Sequence, residues 1–324
     1  MTPVTVVTGF LGSGKTTLIN GLLGHPEMEE SAVLVNEFGE IGIDHLLIEH
    51  LDEATMLLGA GCLCCAVRED LVAGLSSLLE RRRSGAVPFF RRVVLETSGL
   101  ADPAPLLHTL LADERVNHAC SLGGIVTAVD SLNGEHQLAH EIESQSQAAA
   151  ADVLVLTKTD MLPATPGLRA SLATLNPDAR IVTPPVTPSD LRISAADVAR
   201  WLTAPPATRH DRSVTSLSLT ARHPLHADRL IAWIERTIAC HGDHLLRLKG
   251  ILDLEGSDVP VTVHGVRHVF HPLKRLSSWP SSARLSRIVL IGRDLPADSI
   301  RSGFTRAATA TRPVEQRRHP TCPS

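Results

Sequence analysis

The stretch TGFLGSGKTTLIN, residues 8–20, follows the β-branched run VTVVT (4–8) and leads into the helix-compatible TTLINGLL (16–23). Gly9, Gly14, Lys15 and Thr16 satisfy G-x-x-x-x-G-K-[ST] in the strand–loop–helix setting that the pattern requires. The glycines, Gly12 among them, let backbone N–H groups turn toward phosphate oxygens, and the helix N-terminus behind Ser13 and Thr17 adds positive potential. In this reading Lys15 reaches the β- and γ-phosphates, and the Thr16 hydroxyl is a ligand for Mg²⁺. The expectation is a nucleoside triphosphate site that opens an α/β domain.

The surrounding sequence agrees. Apolar runs at 32–37, 91–97, 123–130 and 152–157 lack polar alternation, as strands buried on both faces of a parallel sheet do. Helix-compatible segments at 15–24, 69–83, 103–112 and 138–150 give a βαβ rhythm. We therefore expect a P-loop domain with a mainly parallel sheet flanked by helices over residues 1–212, ending in a Pro-rich linker at 184–212. A smaller α+β domain is expected over 213–296, with VTSLSLT (214–220) as a half-exposed strand and an amphipathic helix over 225–239, and 297–324 reads as a flexible tail.

Bulk composition narrows the function. The chain has 324 residues, 43% of them hydrophobic, enough for two cores. A net charge of −4 gives no general attraction to nucleic acid or an anionic membrane, and no stretch reaches the ~18–20 apolar residues of a membrane span. The amino-terminal MTPVTVV lacks the basic region of a secretory signal. Six cysteines, three clustered and the others isolated at 120, 240 and 322, do not read as a disulfide framework, so a reducing cytoplasm is expected.

Two later strand ends carry chemistry. VVLETSGLADP offers Glu96, a carboxylate for Mg²⁺ or its water shell, followed by a Ser-Gly loop whose N–H groups suit a γ-phosphate. LVLTKTD offers Thr157, Lys158 and Asp160. An Asp there accepts from both the N1–H and the exocyclic amine of guanine while the lysine stem lies along the base, so the loop favours GTP over ATP. Catalysis then rests on positioning and charge neutralisation by Lys15 and Mg²⁺, with Glu96 orienting water or metal. Turnover is expected to be slow, since no arginine finger is evident.

The string GAGCLCCAVRED places Cys62, Cys64 and Cys65 within four positions. Adjacent cysteines close too small a ring for a relaxed disulfide, whereas thiolates are good ligands for Zn²⁺, Co²⁺, Cu⁺ or iron. Three of them leave an open coordination position, which suits transfer more than permanent structural binding. In VHGVRHVFH, His264 and His268 would share one face of a strand and His271 the other, which favours ordinary strand positions over an accessory metal site.

The combination of TGFLGSGKTTLIN, NEFGEIGID, GCLCC, ETSGLADP and TKTD with RLKGIL, HGVRH and SRIVLIGRDL resembles the CobW-type branch of the metallochaperone P-loop GTPases, the zinc-transferase group. The resemblance spans residues 3–296. It implies a GTP-driven carrier that hands a divalent metal to a client metalloprotein, with the segment from Glu37 to Asp44 as a switch and Glu37 and Glu40 as further candidate ligands. Zinc is the expected metal and Co²⁺, for cobalamin synthesis or metalloenzyme activation, the alternative. Client protein and a nucleotide-dependent homodimer are the expected partners. Two positions depart from the pattern: Thr157 stands where many GTPases have Asn, and Val35 where some relatives have Glu. A small-molecule P-loop kinase and a nucleotide-controlled metal-sensing module are the rival readings. The first leaves the thiols and TKTD without a role.

Overall fold

The computed structural model describes residues 1–36, 55–58, 65–191, 214–270, 273–279 and 284–309, and divides the chain into two compact units, Met1–Ile193 and Ser194–Ser324. In the first unit the order is β1 (Thr2–Thr8), α1 (Lys15–Leu23), β2 (Ser31–Asn36), β3 (Thr55–Leu58), α2 (Cys65–Ser84), β4 (Arg92–Thr97), α3 (Pro103–Ala112) and α4 (Glu114–Asn117). There follow β5 (Cys120–Asp130), α5 (Gly134–His140), α6 (Ile142–Ala150), β6 (Val153–Thr157), α7 (Pro166–Leu175) and β7 (Arg180–Val182).

The seven strands form one sheet in the order β3-β2-β4-β1-β5-β6-β7, and every pairing is parallel. β1 is central because its apolar side chains serve both faces: Val4, Val6 and Val7 are fully buried. Register aligns the strand ends, with Val7 opposite Glu96, Thr8 opposite Thr127, and Asp130 opposite Thr157. The loops that follow these residues therefore leave the same carboxyl edge, where open α/β sheets bind ligands.

Two short strands, β3 and β7, are absent from the sequence reading, since four and three residues carry too little pattern to announce themselves. The helix expected over 138–150 is two helices, because Glu141 leaves helical geometry (φ −106°, ψ 117°) and starts α6 afresh.

In the second unit, β8 (Thr215–Ala221), α8 (Ala227–His241), β9 (Leu245–Leu252), β10 (Val261–Val266), β11 (Val269–Phe270), β12 (Lys274–Arg275), β13 (Ser286–Gly292) and α9 (Ala297–Thr309) build an antiparallel sheet β11-β10-β9-β13-β8, with β12 beside β10. Leu230, Trp233, Ile234 and Thr237 form the buried stripe of α8. Two expectations fail here. β8 is not half-exposed: Ser216 and Ser218 are buried, as are Arg287 on the adjacent β13 and Arg247 and Lys249 on β9. Residues 297–309 are not tail but helix, because Ile300 and Phe304 at i, i+4 spacing pack into the core, and Phe304 meets Trp233 edge-on at 5.2 Å between ring centroids.

Candidate nucleotide and metal site

The phosphate loop connects β1 to α1. Gly9, Gly12 and Gly14 adopt φ of 147°, 68° and 83°, the left-handed side that glycine tolerates. At Gly9 the constraint is also steric: a Cβ would lie 2.4 Å from the Ala128 carbonyl oxygen and 2.6 Å from Ser13 Oγ. α1 begins without a side-chain cap and without an acidic residue in its first turn, so its leading N–H groups are left for an anion. Lys15 Nζ donates to the carbonyl oxygens of Gly9 (3.1 Å) and Phe10 (3.3 Å), which holds the ammonium over the loop. The Ser13 hydroxyl is buried and has no hydrogen-bond partner among the described residues.

Thr16 and Glu96, eighty residues apart in sequence, meet here: Thr16 Oγ1 donates to Glu96 Oε1 at 2.9 Å, and Glu96 is buried. An octahedral Mg²⁺ with bonds of about 2.0–2.1 Å holds neighbouring oxygens roughly 3 Å apart. A hydroxyl and a carboxylate at this separation therefore fit two adjacent positions around that ion, and hard oxygen donors are what it takes. Beside them the Thr97 hydroxyl donates to Thr8 Oγ1 at 2.8 Å, tying β4 to the start of the phosphate loop.

Gln147 and Asp130 are positioning residues that escaped the sequence reading. Gln147 on α6 is fully buried, and its Nε2 donates to the carbonyls of Gly99 (3.0 Å) and Ala101 (3.1 Å). It fixes the Ser-Gly loop after β4, where a Cβ on Gly99 would come within 2.8 Å of the Leu11 backbone. Its signal in sequence is faint, an amide inside the small-residue run SQSQAAAA, whose helix is buried from Ser144 to Ala150.

A cavity of 490 Å³ opens between α1 and the loop after β6, lined by Gly14, Leu18, Thr157, Lys158, Asp160 and Pro184 among others. Thr157 Oγ1 lies 2.6 Å from the Ser13 carbonyl oxygen and 3.2 Å from that of Val129. With one proton to donate, the hydroxyl favours the shorter contact and ties the cavity's floor to the phosphate loop. Lys158 takes φ 56°, a left-handed value unusual for a side-chain-bearing residue, and its Nζ pairs with Asp130 Oδ2 at 2.8 Å. Asp130, at the end of β5, also accepts from Leu132 N and Asn133 Nδ2. Burial alone would raise its pKa, but the Lys158 ammonium, the Leu132 N–H and the Asn133 amide stabilise the anion more, and the net shift is downward. Asp160 stands exposed at the cavity rim.

Of the expected metal ligands, Cys62, Cys64, Glu37 and Glu40 lie outside the described residues, as does the side chain of Cys65, whose backbone opens α2. The isolated cysteines diverge. Cys120 is buried and free, and burial raises its thiol pKa against the opposing Arg82 charge, which leaves it inert. Cys240 is disulfide-bonded, a pairing that the spacing of isolated cysteines does not announce. His264 and His268 do not share a strand face, because the chain reverses between Val266 and Val269; His264 is on β10, while His268 sits in the turn with Nε2 3.0 Å from Asp243 Oδ1. His271 lies outside the described residues.

A glycine-rich loop between a strand and a helix, a part-buried Thr16–Glu96 contact beside it and a cavity rimmed by Asp160 mark a P-loop unit. Its family model, CobW/HypB/UreG nucleotide-binding domain, matches residues 3–183, and that of the cobalamin synthesis protein cobW C-terminal domain matches 214–308. The chain belongs to the CobW/HypB/UreG family of P-loop GTPases. It is 30% identical over 312 residues to the zinc chaperone YjiA of Escherichia coli (strain K12), spanning 93% of this chain and 97% of the relative. Identity is also 30% over 345 residues to the zinc chaperone CobW of Pseudomonas aeruginosa, with 92% and 89% covered. The crystal structure of Zn(II)-bound YjiA GTPase from E. coli superimposes with a TM-score of 0.70 at 27% identity, covering 95% of this chain and 99% of that one.

Proposed function

We propose that this protein is a GTP-hydrolysing metallochaperone that holds one divalent metal, zinc first and cobalt second, through Cys62, Cys64 and Cys65 and passes it to a client metalloprotein. Lys15 would neutralise the β- and γ-phosphates, Thr16 and Glu96 would hold Mg²⁺ with Glu96 orienting water or metal, and Asp160 would read guanine. Bound Mg²⁺ supplies charge neutralisation of the developing phosphate oxygens. Gly9, Gly12, Ser13, Gly14 and Thr17 complete the phosphate cradle, and Thr157 and Lys158 the base site. Glu37 and Glu40 belong to the switch between the two ligands, and the cytoplasm is the compartment proposed for the thiolates, with the disulfide at Cys240 standing against it.

The observation that carries this reading is topological. β3 ends at Leu58 and the backbone of Cys65 opens α2, so the thiol run follows β3 directly in sequence. Leu58 stands at the carboxyl edge of the sheet that also carries the phosphate loop, since it pairs with Asn36 and Asn36 with Thr97. Two names among the relatives, zinc chaperone and zinc-regulated GTPase metalloprotein activator, support zinc. A triple variant of YjiA that lacks one Glu and two Cys is also Zn(II)-bound, so any assay must count sites.

The test is GTP hydrolysis with and without one equivalent of zinc and with no phosphoryl acceptor present. Zinc-responsive hydrolysis that falls to background in Lys15→Ala supports the reading. Absence of hydrolysis until a small-molecule acceptor is added would make the protein a kinase.

A further inference from the structure

The helix α5 carries His136 and His140 one turn apart, and their rings stack with centroids 4.2 Å apart and planes inclined by 25°. Both side chains are exposed. His140 Nδ1 lies 2.9 Å from the His136 carbonyl oxygen. A carbonyl can only accept, so that nitrogen carries the proton and the neutral ring keeps its lone pair on Nε2. A hydrogen bond of this kind from the far nitrogen is what orients metal-ligating histidines and raises their basicity. Histidines at i, i+4 on one helix face are also the spacing by which a helix chelates a transition metal.

We infer that His136 and His140 form a second metal site, a two-imidazole chelate for one borderline divalent cation of the zinc or copper type. Imidazole nitrogens suit these ions over Mg²⁺ or Ca²⁺, which keeps the site chemically distinct from the magnesium position. With only two protein ligands the remaining positions go to water, so the ion exchanges readily. The pair stands on an anchored helix: Asn133, the residue before α5, donates to Asp130, which holds Lys158 in the base loop. The Glu135 carboxylate is engaged by the Thr165 hydroxyl at 2.9 Å, so the chelate is argued from the two rings alone. The site is independent of the thiol loop, and the two readings can fail separately.

The experiment uses the full chain with Cys62, Cys64 and Cys65 changed to Ser, titrated with Cu²⁺ and followed by continuous-wave and pulsed electron paramagnetic resonance. Cu²⁺ is the probe because it binds nitrogen sites most tightly among the first-row divalent ions. The expected result is one equivalent of copper with two imidazoles coordinated. That equivalent and its two-imidazole signal disappear when His136→Ala and His140→Ala are added, and His136→Gln alone leaves a one-imidazole spectrum. Since both rings are exposed, circular dichroism should find these variants folded. An unchanged copper stoichiometry and spectrum in the double variant would overturn the proposal.

Discussion

Among single residues, the proposed base site turns on Asp160 and on the Lys158–Asp130 pair behind it. Asp160→Asn replaces an acceptor of two N–H donors with an amide, so it should weaken GTP and improve xanthosine triphosphate, whose C2 carbonyl accepts from the new amide. Loss of a charge-assisted pair costs about 1.5–3 kcal/mol, or roughly 10- to 150-fold in affinity, which competition with a fluorescent nucleotide will measure. Asp130 makes a separate prediction. Its pKa is lowered in the fold, so its contribution to stability is present wherever the unfolded chain would also ionise it, above about pH 4, and is lost as pH falls through the folded value. Asp130→Asn should therefore cost about 1.5–3 kcal/mol, constant from about pH 5 to 8. The gap to wild type should close below about pH 4 in urea unfolding curves. A gap that persisted in acid would mean that the ion pair with Lys158 is not its source. Thr157 shows how a departure from the common GTPase pattern is absorbed, since its hydroxyl reaches the Ser13 carbonyl and links base loop to phosphate loop.

At the level of elements, α9 separates what sequence displays from what it hides. The Ala-, Thr- and Arg-rich composition of residues 297–309 conceals a helix whose large buried side chains are Ile300 and Phe304, with Ala297, Ala307 and Ala308 packed beside them. Phe304→Ala should cost the second unit about 3–5 kcal/mol, the range for removing a buried aromatic ring, and a loose tail would make the change silent. Differential scanning calorimetry distinguishes the two. The long buried strands β1, β5 and β6 were legible because continuous β-branched runs have few other uses, and the phosphate loop because its glycines and Lys15 sit at fixed offsets from a strand. Thr16 and Glu96 were legible as candidates, but their contact depends on the register of Val7 against Glu96, which no local pattern encodes. Gln147 and Asp130 stayed hidden for the same reason: each acts on a loop brought to it by tertiary packing, 48 residues away for Gln147 and Gly99, 28 for Asp130 and Lys158.

For the whole molecule, the claim is that one chain couples two ligands. The proposed nucleotide site lies at the carboxyl edge of the parallel sheet, and β3, which precedes the thiol run in sequence, ends at that same edge. If binding of GTP reorganises the connection that holds the metal, the free energies are reciprocal: nucleotide shifts zinc affinity by the factor by which zinc shifts nucleotide affinity. A coupling of about 1–3 kcal/mol corresponds to roughly 5- to 150-fold. Serine at positions 64 and 65 keeps the size but not the thiolate, so it should abolish tight zinc binding and leave Mg²⁺-GTP affinity nearly intact. The most direct measurement is a zinc titration against a chromophoric chelator with the protein loaded with a non-hydrolysable GTP analogue and, separately, with GDP. The account predicts zinc affinities that differ by roughly 5- to 150-fold between the two states, with the difference erased in Cys64→Ser/Cys65→Ser. Equal affinities in both nucleotide states would contradict it.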